Sequence, residues 1–108
     1  MTEETALNYE SIKLTLDGEH VARLTLARPD IQNAMSMKLV QELRHALRVI
    51  AANDKLRAVV LTGEGKSFCA GGDLNWMRAM ADYSWEQNRA DAQKLADMLW
   101  TLDQCPVP

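Results

Sequence analysis

The run "RAVVLTG", Arg57 to Gly63, constrains the fold more than any other stretch of this sequence, because it follows a helical pattern and opens into a loop crowded with glycine. It is short, rich in branched apolar residues and closed by a glycine. Such a run reads as a buried strand entered from a helix. The segment Leu61 to Met77, "LTGEGKSFCAGGDLNWM", then holds four of the chain's five glycines. The fold class is therefore α/β, and the question is what the glycine loop holds.

Upstream, Leu39, Val40, Leu43, Ala46, Leu47 and Ile50 recur at spacings of three and four, the mark of a helix with one apolar stripe. Ser36 is its N-cap candidate, and the pattern ends near Asn53-Asp54. Two strands precede it. Tyr9 to Leu16 alternates with Ile12, Leu14 and Leu16 on one face, Asp17-Gly18 offers a hairpin turn, and His20 to Leu26 pairs back antiparallel. Arg28-Pro29-Asp30 breaks the pattern, since proline lacks the ladder donor and restricts the residue before it, leaving a loop from Ala27 to about Met35. Downstream, Leu74 to Ala81 reads as a short helix. Ser84 to Gln87 matches a capping box opening a longer helix through about Leu102, with Leu95, Leu99 and Leu102 as its buried stripe. In the closing "CPVP", an apolar residue between prolines reads as the start of another strand.

At 108 residues, 47% of them hydrophobic and 25% charged, the chain fits one globular domain and excludes disordered, collagen-like and coiled-coil classes. The net charge of −3, with Lys and Arg scattered among Asp and Glu, argues against nucleic acid as a partner. Met1 to Thr5 is polar and lacks the regions of a signal peptide, and no apolar run approaches a membrane span, so the expected location is cytoplasmic. Cys69 and Cys105 are too far apart for a metal motif and read as free thiols. There is no repeat or linker. The chain stops as if cut through a domain, which leaves the apolar faces of both strands and the Leu39 stripe expected to lack part of their cover.

The loop does not match a phosphate-binding motif. Gly65-Lys66-Ser67 ends like G-x-x-x-x-G-K-[ST], but Val60 stands where the first glycine belongs and Phe68-Cys-Ala-Gly-Gly is a poor helix start. The dinucleotide fingerprint fails as well, with Phe68 in place of its third glycine. Two readings stay open. The glycines supply unusual backbone angles in a connecting turn, or Gly71-Gly72, just before a helix, offers backbone N–H groups to a developing negative oxygen.

The strings "SFCAGGDL" and "RPDIQNAM", with the strand, strand, helix, strand order around them, resemble the crotonase superfamily of enoyl-CoA hydratases and isomerases. The resemblance runs from Tyr9 to Pro108 and covers only the first part of a typical member. It implies a crotonase-type ββα spiral, with residues 1–108 as the N-terminal portion of a single domain truncated before the later catalytic motifs. "FCAGGDLNWMRAMADYS" with "CPVP" is most similar to the branch that hydrates methylglutaconyl-CoA and its longer isoprenoid relatives.

What the resemblance implies is hydration of a branched enoyl-CoA, with the thioester oxygen held by two backbone N–H groups. One matches Gly72; losing such a donor costs roughly 3 to 4 kcal/mol of transition-state stabilisation. Ala70, Asp73 and Leu74 match the adenine and pantetheine path, Ile31 its facing wall, Lys66 a basic position near the CoA phosphates, and Met77 a place beside the acyl chain. Lys66 also reads as a solvated loop lysine, and Met77 as packing. CoA is part of the substrate, and neither a separate cofactor nor a metal is implied. The acid and base, usually two glutamates, and the second oxyanion donor belong beyond residue 108, so the chain alone is expected to be inactive. Members are usually homotrimers or dimers of trimers. A crotonase-family isomerase, a noncatalytic CoA-binding module and a structural fragment remain alternatives. Trp76, Trp85 and Trp100 read as core or subunit contacts, His20 and His45 as structural or exposed, and Asp73 as a favourable charge at a helix start.

Overall fold

The computed structural model describes residues 9–108, so the polar lead Met1 to Thr5 lies outside the described residues. Strands β1 (Ile12–Asp17) and β2 (Val21–Leu26) pair antiparallel, with Leu14 opposite Leu24 and Asp17 opposite Val21. Asp17 stays in the ladder, so the turn falls one residue later than expected and passes through Gly18 at φ 74°. A single 3-10 turn at Pro29–Ile31 follows β2.

Helix α1 (Met37–Ala51) starts where Ser36, in extended conformation, accepts the Leu39 N–H on its hydroxyl at 3.2 Å. All six residues of its predicted apolar stripe are buried. They pack with Ile12 and Leu14 of β1, Ala22, Leu24 and Leu26 of β2, and Leu56 into one core. The expectation that these strand faces and the Leu39 stripe would be short of cover does not hold. Sheet and helix cover one another, because the alternation of the strands and the stripe of the helix place Ile12, Leu14, Leu24, Leu26 and the six stripe residues on the shared side.

Strand β3 (Ala58–Gly63) pairs parallel to β2, with Leu61 opposite Leu24, giving the order β1-β2-β3. It was expected to be buried and is not: every residue keeps some exposure, and Val60 is 37% exposed. Val59 and Leu61 pack only partly against the core, and Val60, on the opposite face, has no such cover. The edge of β3 away from β2 meets the chain's last residues, where the Val59 N–H donates to the Pro108 carbonyl at 2.8 Å. The tail thus touches the sheet edge at its last residue, but residues 105–108 form no strand, so the strand expected to start around Val107 is not seen among the described residues.

Helices α2 (Leu74–Met80) and α3 (Trp85–Asp103) close the chain. The capping box at α3 is complete: the Ser84 hydroxyl accepts the Gln87 N–H at 3.1 Å, and the Gln87 side chain accepts the Ser84 N–H at 2.8 Å. The buried stripe expected at Leu95, Leu99 and Leu102 is displaced. α3 packs on α1 through Met98, its one fully buried residue, with Leu95 partly buried beside it, while Leu99 is 49% exposed. Apolar residues from Leu95 to Leu102 run around this helix, so spacing alone does not select the face that docks. The tryptophans also divide. Trp76 packs partly against the core, whereas Trp85 and Trp100 are 70% and 65% exposed and are not core residues. Among the described residues no helix is long and apolar enough to cross a membrane.

Candidate active site

Two loops build the site, the one leaving β2 and the glycine loop leaving β3. Asn33 joins them. Its side chain is fully buried, donating from Nδ2 to the carbonyls of Glu64 and Ser67, both at 2.9 Å, while Oδ1 accepts the Arg28 N–H at 2.7 Å. The loops meet so closely that a Cβ at Gly63 would lie 2.7 Å from the Phe68 carbonyl oxygen, which makes glycine obligatory there. The Gln32 carbonyl then accepts the Ala70 N–H at 3.0 Å.

The next contact orients the glycine pair. Met35 donates its N–H to the Gly71 carbonyl at 2.6 Å and accepts the Asp73 N–H at 2.7 Å, a one-residue parallel bridge between Met35 and Gly72. Gly71 sits at φ 99°, where a side chain would be strained. The peptide joining Gly71 to Gly72 is trans, so its C=O and N–H point in opposite directions. With the oxygen bound to Met35, the Gly72 N–H must point away from that loop, and among the described residues it has no acceptor. A fixed N–H of this kind can stabilise an oxyanion without reorganising.

Gly72 lines an open cavity of about 530 Å³ whose walls are Ile31, Gln32 and Ala34 on one side and Ala70, Asp73, Leu74, Asn75 and Arg78 on the other. Five residues singled out from the sequence, Ile31, Ala70, Gly72, Asp73 and Leu74, therefore come together. Lys66 is exposed on the loop and does not line the cavity. Met77 is also outside the lining, but its sulfur lies 3.4 Å from where a Cβ on Gly72 would stand, so it backs the glycine. Sequence reasoning did not single out Gln32, Ala34, Asn75 or Arg78. The i, i+4 spacing from Leu74 to Arg78 on one helix was the available signal for the last of these.

Asp73 is 8% exposed and its carboxylate is fully engaged. Oδ1 accepts the Asn75 N–H at 2.7 Å as the N-cap of α2, and Oδ2 pairs with Arg28 Nη2 at 3.0 Å. The Asn75 N–H first and the Arg28 guanidinium second hold this carboxyl below the ordinary aspartate range. It is a structural anion at a helix start, as its position predicted. The histidines lie apart from the cavity, His20 bonding the Lys55 carbonyl at 2.9 Å and His45 the Tyr9 hydroxyl at 2.7 Å. Among the described residues no three His, Cys, Asp or Glu side chains cluster to hold a metal.

The sequence model of the enoyl-CoA hydratase/isomerase family matches residues 17–108. A Bacillus subtilis protein described as an enoyl-CoA hydratase/isomerase is 44% identical over 96 residues, covering 88% of this chain and 37% of that protein. The mitochondrial Δ(3,5)-Δ(2,4)-dienoyl-CoA isomerase of Mus musculus is 34% identical over 94% of this chain and 33% of its own length. Among solved structures, an enoyl-CoA hydratase from Shewanella pealeana superposes with a TM-score of 0.92 at 37% identity, covering all of this chain and 40% of that one. This chain belongs to the enoyl-CoA hydratase/isomerase, or crotonase, family. It spans between a third and two fifths of the length of these relatives and corresponds to the N-terminal part of their fold.

Proposed function

We propose that this chain supplies the N-terminal portion of an enoyl-CoA hydratase, a single crotonase-type domain that adds water across the 2,3 double bond of a branched enoyl-CoA. The observation that carries the reading is the orientation of the Gly72 N–H: the peptide oxygen behind it is bound to Met35, which leaves the donor free for a thioester oxygen. As water adds at C3, negative charge collects on that oxygen as an enolate and is held until C2 takes a proton. The acyl-CoA lies between Ile31 on one wall and Ala70, Asp73 and Leu74 on the other, with the acyl chain passing toward Met77. The acid and base come from residues after Pro108, and the working unit is a trimer or a dimer of trimers. Likeness of the Phe68 to Ser84 string to methylglutaconyl-CoA hydratases supports a branched substrate.

An isomerase is the second reading, supported by the mouse dienoyl-CoA isomerase among the relatives. Product mass separates the two. The complete polypeptide carrying this segment, given a branched 2-enoyl-CoA, is expected to return a product heavier by one water; a product of unchanged mass with a moved double bond overturns hydration. Residues 1–108 alone are expected to produce neither.

A further inference from the structure

We infer that Arg28 is a positioning residue for the Gly72 donor, acting as a side-chain rung of the bridge that aims it; the inference rests on the reading of Gly72 given above. The guanidinium forks between the two segments the bridge joins. Nη1 donates to the Ala34 carbonyl at 3.0 Å and Nη2 to the Asp73 carboxylate at 3.0 Å, so each contact falls one residue from the bridged pair Met35 and Gly72. Its own N–H is held by buried Asn33 at 2.7 Å, which fixes where the side chain begins.

The pair is well screened from solvent, with side-chain exposures of 25% for Arg28 and 11% for Asp73. The backbone bridge by itself is only two hydrogen bonds between a loop and the residues just before a seven-residue helix, neither segment being part of the sheet. Arg28 leaves from the end of β2, so its fork ties that bridge to the rigid core. A planar guanidinium can serve a carbonyl and a carboxylate at once in fixed geometry; a lysine ammonium is a point charge on a flexible stem and cannot hold both in register.

The test is amide NMR on the complete polypeptide carrying this segment and on its Arg28→Lys variant, with and without crotonyl-CoA. Without ligand, the variant is expected to lose hydrogen-exchange protection at Met35 and Asp73 by tenfold or more, with Leu24 in the sheet unchanged. With crotonyl-CoA, the Gly72 amide proton of the unsubstituted chain is expected to move downfield and that of the variant to stay. Asp73→Asn, which keeps a good N-cap but removes the charge, should reproduce both effects in part. Unchanged protection at Met35 and Asp73 in Arg28→Lys overturns the positioning role directly. Loss of protection with no response of Gly72 in the unsubstituted chain overturns the proposed function, and with it the inference, by leaving Arg28 a structural clasp alone. If Arg28→Lys loses protection across the sheet as well, the selective role is also overturned.

Discussion

Helices α1 and α3 carry similar apolar content but end in opposite circumstances. α1 buries all six residues of its stripe against β1 and β2, whereas α3 buries Met98 and leaves Leu99, Trp100 and Leu102 open to solvent. The difference is one of neighbours. α1 has a sheet face to fill; α3 has one side on α1 and, from α2, the Trp76 Nε1–H donating to the Asp91 carboxylate at 3.2 Å. One half of the chain is thus a finished core, and the other presents surface of the kind that a further layer or subunit covers.

That contrast can be broken by substitution and equilibrium urea unfolding. Leu47→Ala or Leu24→Ala, at fully buried positions, should cost about 2–5 kcal/mol, a large share of the stability of a core this small. Asn33→Ala comes next. It strands the Arg28 N–H and the Glu64 and Ser67 carbonyls, with a cost of about 1–3 kcal/mol for a buried group left unpaired and a cavity deformed at the Ile31 wall, visible as weaker acyl-CoA binding by calorimetry. Ser36→Ala should cost about 1 kcal/mol by removing the cap of α1.

Acid sharpens the comparison differently. Burial alone would raise the Glu42 carboxyl, but the Ser11 hydroxyl and the N–H groups of Glu10 and Ser11, both at 2.8 Å, outweigh it and leave it lowered. Asp73 is lowered as well. A carboxyl depressed by folding adds stability above its unfolded value, 4.5 for Glu42 and 3.8 for Asp73, and loses it as pH falls through the lower folded value. Unfolding midpoints should therefore hold steady from neutral pH to about 5 and then fall, less steeply in Glu42→Gln. The smallest effect belongs to α3: Leu99→Ser and Trp100→Ser should change stability by under about 0.5 kcal/mol while reducing self-association in sedimentation. A loss as large as that at Leu47 would show that this face is packed after all.

Much of this was legible before any coordinates. The alternation of β1 and β2, the stripe and Ser36 cap of α1, and the Ser84 capping box each depend on residues within a few positions of one another, and each formed, with β1 shifted to Ile12–Asp17 from the expected Tyr9 to Leu16. The site was legible to the extent that its signal was local: Gly71-Gly72 before a helix, and Ile31 within its own motif. Arg28 and Asn33 stood in the same quoted string without being singled out, because what they do depends on partners 31 to 45 residues away. Lys66 is exposed and lies outside the cavity lining, which fits the reading of a solvated loop lysine and leaves its place near the CoA phosphates a proposal.

Periodicity, caps and turn residues therefore determined the elements and their order, since short-range backbone and side-chain preferences act through neighbours in the chain, while the family was legible only through the resemblance of "SFCAGGDL" and "RPDIQNAM". Which face of α3 docks, how far β3 is covered, and where the Gly72 N–H points were decided only on folding. Each depends on a distant surface or a distant hydrogen bond, and the direction of that N–H follows from one bond, 2.6 Å long, between the Met35 amide and the oxygen of Gly71.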